Sequence, residues 1–212
     1  MFHDRAEAGK LLARALSYYK GKPVIVLAIP RGGTEVGYEV ASYLRAKFSL
    51  LIVRKLPFPN NPEAGFGAIA EDGSRFIFKD ANKWLSKGDR DSIIKYQLNE
   101  VKRRVSVLRQ GKPLPKLKGR IVILVDDGLA MGSTIIAAIK ACRKLGAKRV
   151  IVASPVGSNE VALRVRKLVD TLIILETPEP FYAVAQVYEK WHDVTDAEVL
   201  SFIKRSLKFS AN

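Results

Sequence analysis

The residues best suited to chemistry lie between Ile121 and Thr134. An apolar run, Ile121 to Val125, leads into Asp126 and Asp127, then into Gly128-Leu129-Ala130-Met131-Gly132-Ser133-Thr134. Two adjacent carboxylates suit sugar hydroxyls, or a magnesium ion held beside them, and they repel a phosphate. The loop behind them has the opposite preference. Gly and Ala let backbone approach a ligand closely, and the N–H groups and dipole of a helix start favour an anion. Ser133 and Thr134 add hydroxyl donors. A ligand with a phosphate at one end and a diol at the other, such as a ribose 5-phosphate, satisfies both halves. A second unit of this kind precedes it, where the apolar run Val24 to Ile29 enters Pro30-Arg31-Gly32-Gly33.

These residues need strands and helices to hold them. The run Ile121 to Val125 reads as a strand buried on both faces of a parallel sheet, since it does not alternate. From Thr134, Ile135, Ala138, Ile139 and Cys142 fall at helical spacing. Phe2 to Tyr19 reads as a helix capped by Asp4, Val24 to Ile29 as a strand, and Thr34 to Lys47 as a helix. Leu50 to Val53 is a third strand, ending in Arg54-Lys55. The Pro/Asn/Gly-rich stretch Leu56 to Gly67 predicts an irregular excursion. Gly67 to Glu71 and Arg75 to Phe78 predict a hairpin around Asp72-Gly73. Asp89 to Gln110 is a long helix with Lys102, Arg103 and Arg104 on a solvated face. Further strands follow at Val150 to Ala153 and Thr171 to Leu175, with a helix at Asn159 to Leu168 between them and a last helix from Asp196. The expected fold is α/β and doubly wound, with about five parallel strands near Val24, Leu50, Ile121, Val150 and Leu172.

A chain of 212 residues with 48% hydrophobic content fits one domain with a full core. Cys142 is the only cysteine, so no internal disulfide forms. The absence of a signal peptide or spanning apolar run points to the cytoplasm. The net charge of +15 suits anionic substrates or nucleic acid, and its lysines and arginines are spread along the chain.

The segment from Ile121 to Thr134 resembles the signature of type I phosphoribosyltransferases, which bind phosphoribosyl pyrophosphate. Met131 stands where that family usually has Thr. The opening Phe2-His3-Asp4-Arg5 and the run Gly67-Ala68-Ile69-Ala70-Glu71-Asp72-Gly73 resemble an uncharacterised group of phosphoribosyltransferase-domain proteins. The resemblance implies one domain over residues 1–212, with a flexible lid at about 55–78 and a small hood at about 176–195. It implies transfer of ribose 5-phosphate from phosphoribosyl pyrophosphate to a nitrogenous base, with magnesium as cofactor. Asp126 and Asp127 would hold the ribose hydroxyls or the metal, and Gly128 through Thr134 the 5-phosphate. Arg31, Gly32, Gly33 and Lys55 would hold the pyrophosphate, in a loop that often carries a cis peptide. Tyr182 or Phe181 would stack on the base. Ala130 replaces the Asp of hypoxanthine- and guanine-specific relatives, which disfavours an oxopurine. The resemblance also implies a possible homodimer. It leaves a second reading open, a sensor of the same sugar pyrophosphate that binds nucleic acid.

Overall fold

The computed structural model describes residues 1–209, the Glu63 side chain aside. In chain order the strands are β1 (Val24–Ala28), β2 (Lys47–Leu50), β3 (Val53–Phe58), β4 (Asn61–Ala70), β5 (Arg75–Ile77), β6 (Ile121–Val125), β7 (Arg149–Val156) and β8 (Thr171–Glu176). The helices are α1 (Arg5–Ala15), α2 (Gly33–Leu44), α3 (Ala81–Trp84), α4 (Lys87–Leu108), α5 (Ser133–Lys144), α6 (Asn159–Arg166) and α7 (Asp196–Ser206). Five strands form a parallel sheet in the order β2-β1-β6-β7-β8. No helix among the described residues is long and apolar enough to cross a membrane.

The continuous apolar strands have a direct cause, since both faces of the sheet are covered. In β6, Ile123 and Val125 pack into the core formed with α1, α2 and α7. Val122 and Leu124 pack into the core formed with α5 and α6. Alternation thus sends each side chain to one of two apolar layers, as a doubly wound sheet requires. Asp4 caps α1 as expected, accepting from the Glu7 N–H at 2.8 Å, and Thr195 and Glu198 form a capping box at the start of α7.

Three readings need correction. The third strand is not Leu50 to Val53 but Lys47–Leu50, and Val53 already opens a strand of the second sheet. The helix over Thr34 to Lys47 is shorter, because Arg45 turns left-handed (φ 54°) and closes α2 at Leu44, with β2 starting at Lys47. The stretch Leu56 to Gly67 is regular. It supplies the end of β3 and most of β4 in an antiparallel sheet ordered β3-β4-β5. Prolines do not break this sheet because they sit where ladder bonds are dispensable. Pro57 marks a register shift on an edge strand, and Pro62 lies beyond the part of β4 that pairs with β5. Leu56, Phe66 and Ile69 form a core with Ile94 of α4, so most of the expected lid is packed structure.

Candidate active site

The parallel register is flush: Ala28 of β1 pairs with Val125 of β6, and Val125 with Ala153 of β7. The loops leaving these strands therefore open at one level, the carboxyl edge where such sheets take ligands. After Val125 come Asp126 and Asp127, and the chain turns into α5 through Gly132, left-handed at φ 76°. Gly132 is the N-cap and supplies no side chain, so the first-turn N–H groups of Ser133, Thr134 and Ile135 lack partners within the helix. They face the position where an anion is favoured. Ala130 and Met131 are exposed beside them, Thr134 is half-buried and Ser133 is buried. Leu129 differs from the expectation. Its N–H donates to Val156 O at 2.9 Å and its side chain is core, so it anchors the loop and has no N–H left for a phosphate.

The two carboxylates have different surroundings. Asp127 receives Arg5 Nε at 2.9 Å, and the Arg5 guanidinium stacks over Trp191 at 3.9 Å. Arg5 Nη1 also donates to His192 O at 2.9 Å, and Tyr188 Oη donates to Asp127 O at 2.8 Å. Asp126 forms no ion pair among the described residues; its Oδ1 accepts the Asp127 N–H at 3.0 Å. Burial and the neighbouring Asp127 charge push the Asp126 carboxyl well above the usual carboxylate range. Burial also raises Asp127, and Arg5 opposes the rise.

The second loop lies directly against this pair. A Cβ on Gly32 would sit 1.9 Å from Asp127 Oδ2, and one on Gly33 would sit 2.9 Å from the Asp126 Cα. Only glycine fits either position. The Pro30–Arg31 peptide bond is cis, as the resemblance implied for this loop. Thr34, at the start of α2, has a buried hydroxyl with no partner among the described residues. Arg31 is exposed, its nearest carboxylate being Asp196 at 3.7 Å.

Arg31 is not alone. Burial, and then the charges of Arg54 and Arg31, lower the Arg104 pKa to about 10. Arg54 is lowered as well, by burial first, while Glu100 opposes. Arg54 Nε donates to Gln97 Oε1 at 3.1 Å, which fixes it on the α4 side of β3. Arg31, Arg54 and Arg104 thus lie near enough to feel one another's charge. Arg104 does not lie on a solvated face as expected. Lys55, one residue along β3, lies on the opposite face, the side Val53 packs toward α5, and its stem lies against Gly65. The convergent cations missed by sequence reasoning are Arg54 and Arg104. The Arg54-Lys55 pair was visible, but pleating decides which of the two turns toward Arg31.

The segment after β8 meets the site from above. Val184 packs on Gly128, where a Cβ would sit 2.4 Å from Val184 Cγ1. Phe181 packs with Phe2, Val187 and Tyr188, whereas Tyr182 is 84% exposed. Of the two aromatics only Tyr182 is free to stack. Gln186 braces the turn, accepting from Tyr182 N–H at 3.0 Å and donating to Pro180 O at 2.8 Å. The His192 ring turns to Glu198 at 3.0 Å, leaving only its carbonyl near Arg5.

The donor set also bears on magnesium. No group of three or more potential metal ligands occurs among the described residues. Asp126 beside a Gly-rich anion loop fits an ion that takes most of its ligands from a substrate's phosphates and water, the usual mode for magnesium. Asp127, tied to Arg5, is less available for it.

The family model for the phosphoribosyl transferase domain matches residues 3–190. A Mycobacterium tuberculosis H37Rv protein named "Putative phosphoribosyl transferase" is 40% identical over 208 residues, covering 97% of this chain and 47% of that protein. The chain thus spans about half the length of the curated relatives it matches. A ribose-phosphate pyrophosphokinase of Pyrococcus furiosus is 38% identical over 76 residues, 34% of this chain and 27% of that enzyme. The crystal structure of the protein TT1426 from Thermus thermophilus superposes with a TM-score of 0.80 at 34% identity, covering 96% of this chain and 98% of that one. The chain belongs to the phosphoribosyl transferase domain family.

Proposed function

We propose that this domain transfers the phosphoribosyl group of phosphoribosyl pyrophosphate to a ring nitrogen of a nitrogenous base. The observation that carries this reading is the contact between the two loops, with Asp127 lying against Gly32. That contact supports reading the two loops as one site, with a helix start suited to an anion and a carboxylate pair side by side.

The 5-phosphate takes the N–H groups of Ser133, Thr134 and Ile135, with the Thr134 hydroxyl. Asp126 accepts hydrogen bonds from the ribose hydroxyls. Arg31, Arg54 and Arg104, with the N–H groups at Gly32 and Gly33, take the pyrophosphate. Lys55 adds charge from the lid side, and Tyr182 offers a face to the base. In the reaction the anomeric C–O bond breaks and pyrophosphate leaves with the bonding pair, while the base nitrogen forms the new C–N bond and its proton passes to the released pyrophosphate or to water. Cations aimed at the leaving group favour this step, because charge grows there. A bound magnesium ion would supply further neutralisation of that charge. Burial of the carboxylates keeps their effect on the sugar's developing positive charge undiluted. A cytoplasmic setting suits the reduced, buried Cys142.

The test is pyrophosphate release from phosphoribosyl pyrophosphate and magnesium across a panel of purines, pyrimidines and orotate. Release with one base identifies the transferase and its acceptor together. Calorimetry with Asp126→Asn/Asp127→Asn should show loss of sugar pyrophosphate binding; unchanged binding would refute the site.

A further inference from the structure

The proposed reaction uses the carboxyl edge of the sheet. At the opposite edge, where the chain enters β1, β2 and β6, lies a cavity of about 830 Å³. Its walls carry Lys22, Arg45, Lys47, Lys116, Lys118 and Arg120, and no carboxylate. Pro23 and Pro115 give it an apolar floor, backed by the buried Val24, Ile25 and Ala46. None of the six cations forms an ion pair among the described residues. Lys22 lies on the Tyr18 ring, 3.0 Å from its centroid.

Three separate segments bring these charges together, so no single lysine-rich stretch explains the cluster. The wall is also fixed. Gly119 N–H donates to Gly146 O at 2.9 Å and Lys148 N–H to Arg120 O at 2.8 Å, which ties the backbone of Lys118 and Arg120 to the loop before β7. Arg45 occupies a left-handed position (φ 54°) that glycine would hold at lower cost. Like charges around one concavity repel, and low-dielectric walls focus their field inward. An anion with several charges relieves both effects.

We propose that this cavity binds a compact polyphosphate, and that a nucleoside di- or triphosphate fits it best. The phosphates would lie on the ring of lysines and arginines and the base on the apolar floor. The volume falls in the range of small-ligand pockets, roughly 300–1,000 Å³. A five-residue strand separates it from the carboxyl edge, about 15 Å at the usual rise, so its occupant would not overlap the sugar site.

The experiment is calorimetric titration of the full chain with ATP and with inorganic triphosphate, at low and at high salt. Both should bind at low salt, ATP more tightly if the apolar floor contributes. Lys47→Ala/Lys118→Ala, two exposed side chains whose loss should spare the fold, should weaken binding about tenfold or more. Arg31→Ala/Arg54→Ala, which removes proposed pyrophosphate ligands at the other edge, should leave in place the binding that Lys47→Ala/Lys118→Ala weakens. Absence of binding for both ligands would overturn the proposal. So would the reverse pattern of variants, which would assign the polyphosphate to the carboxyl edge. A single-stranded oligonucleotide that binds here more tightly than ATP, with a steeper salt dependence, would overturn it in favour of a nucleic-acid surface.

Discussion

Asp126 and Asp127 are neighbours in sequence with unlike partners, and their variants should differ accordingly. Asp126 is buried beside a like charge, so its ionised form costs folding free energy. Its folded pKa lies above its unfolded one. The associated stability is present below the unfolded value, near 3.9, and is lost as pH rises toward the folded value. Asp126→Asn should therefore raise the unfolding midpoint at neutral pH while weakening sugar pyrophosphate binding, as thermal melts and calorimetry would read. In the wild type, binding should strengthen as pH rises through the elevated Asp126 pKa. Asp127 is shifted in the same direction, but Arg5 opposes the rise, so its test runs through that partner. Arg5→Gln leaves a buried carboxylate uncompensated and should cost about 3–5 kcal/mol in urea unfolding. Arg5→Lys should recover little, since an ammonium cannot both meet Asp127 and stack on Trp191. The acidic pair and its loop were legible in sequence because strand, carboxylates and small residues are contiguous. Arg5 was not, because 122 residues separate it from Asp127 and nothing local marks it as an ion-pair partner. Arg104 was misread for a related reason: helical spacing places it beside exposed Arg103, and only packing on β3 turns it inward.

At the scale of elements, the parallel sheet was legible because burial on both faces leaves unbroken apolar runs. The β3–β4 pairing was not, since Pro57, Pro59 and Pro62 argue against strands unless their edge and tip positions are known. What pins this small sheet to the rest is Glu71. It pairs with Arg109 and accepts the Ile52 N–H, while Arg109 also donates to Leu50 O. Glu71, expected to be as readily solvent-facing as functional, is thus a buried structural group at the point where the chain crosses from one sheet to the other. Glu71→Gln should cost about 3 kcal/mol and speed hydrogen exchange in β3 and β4 before the parallel strands. Gly128 makes the matching test at the hood. Gly128→Ala would push Val184 away and should weaken use of the base, seen as a raised KM for the base. Binding of the sugar pyrophosphate should change less.

At the scale of the molecule, nine of the 36 lysines and arginines fall into two groups at opposite ends of the sheet. One faces the arginines of the proposed pyrophosphate site, the other the cavity beneath β1 and β6. Composition showed the excess but not this partition, which depends on strand order. The fold also joins its two ends at the site. Phe2 N–H donates to Val187 O at 2.7 Å, Glu189 N–H to Phe2 O at 2.9 Å and Lys190 N–H to His3 O at 2.8 Å, directly beside the Arg5–Asp127 pair. Contacts across so much chain are the most costly to close and the last that a growing polypeptide can make. A ribosome must therefore have released nearly all of this domain before the seam beside Asp127 can close. The nascent chain would carry a complete sheet and phosphate loop with the backing of its acid pair unfinished. The same seam should be the first to breathe in the mature protein, and occupancy by the sugar should slow amide exchange at Phe2, Glu189 and Lys190.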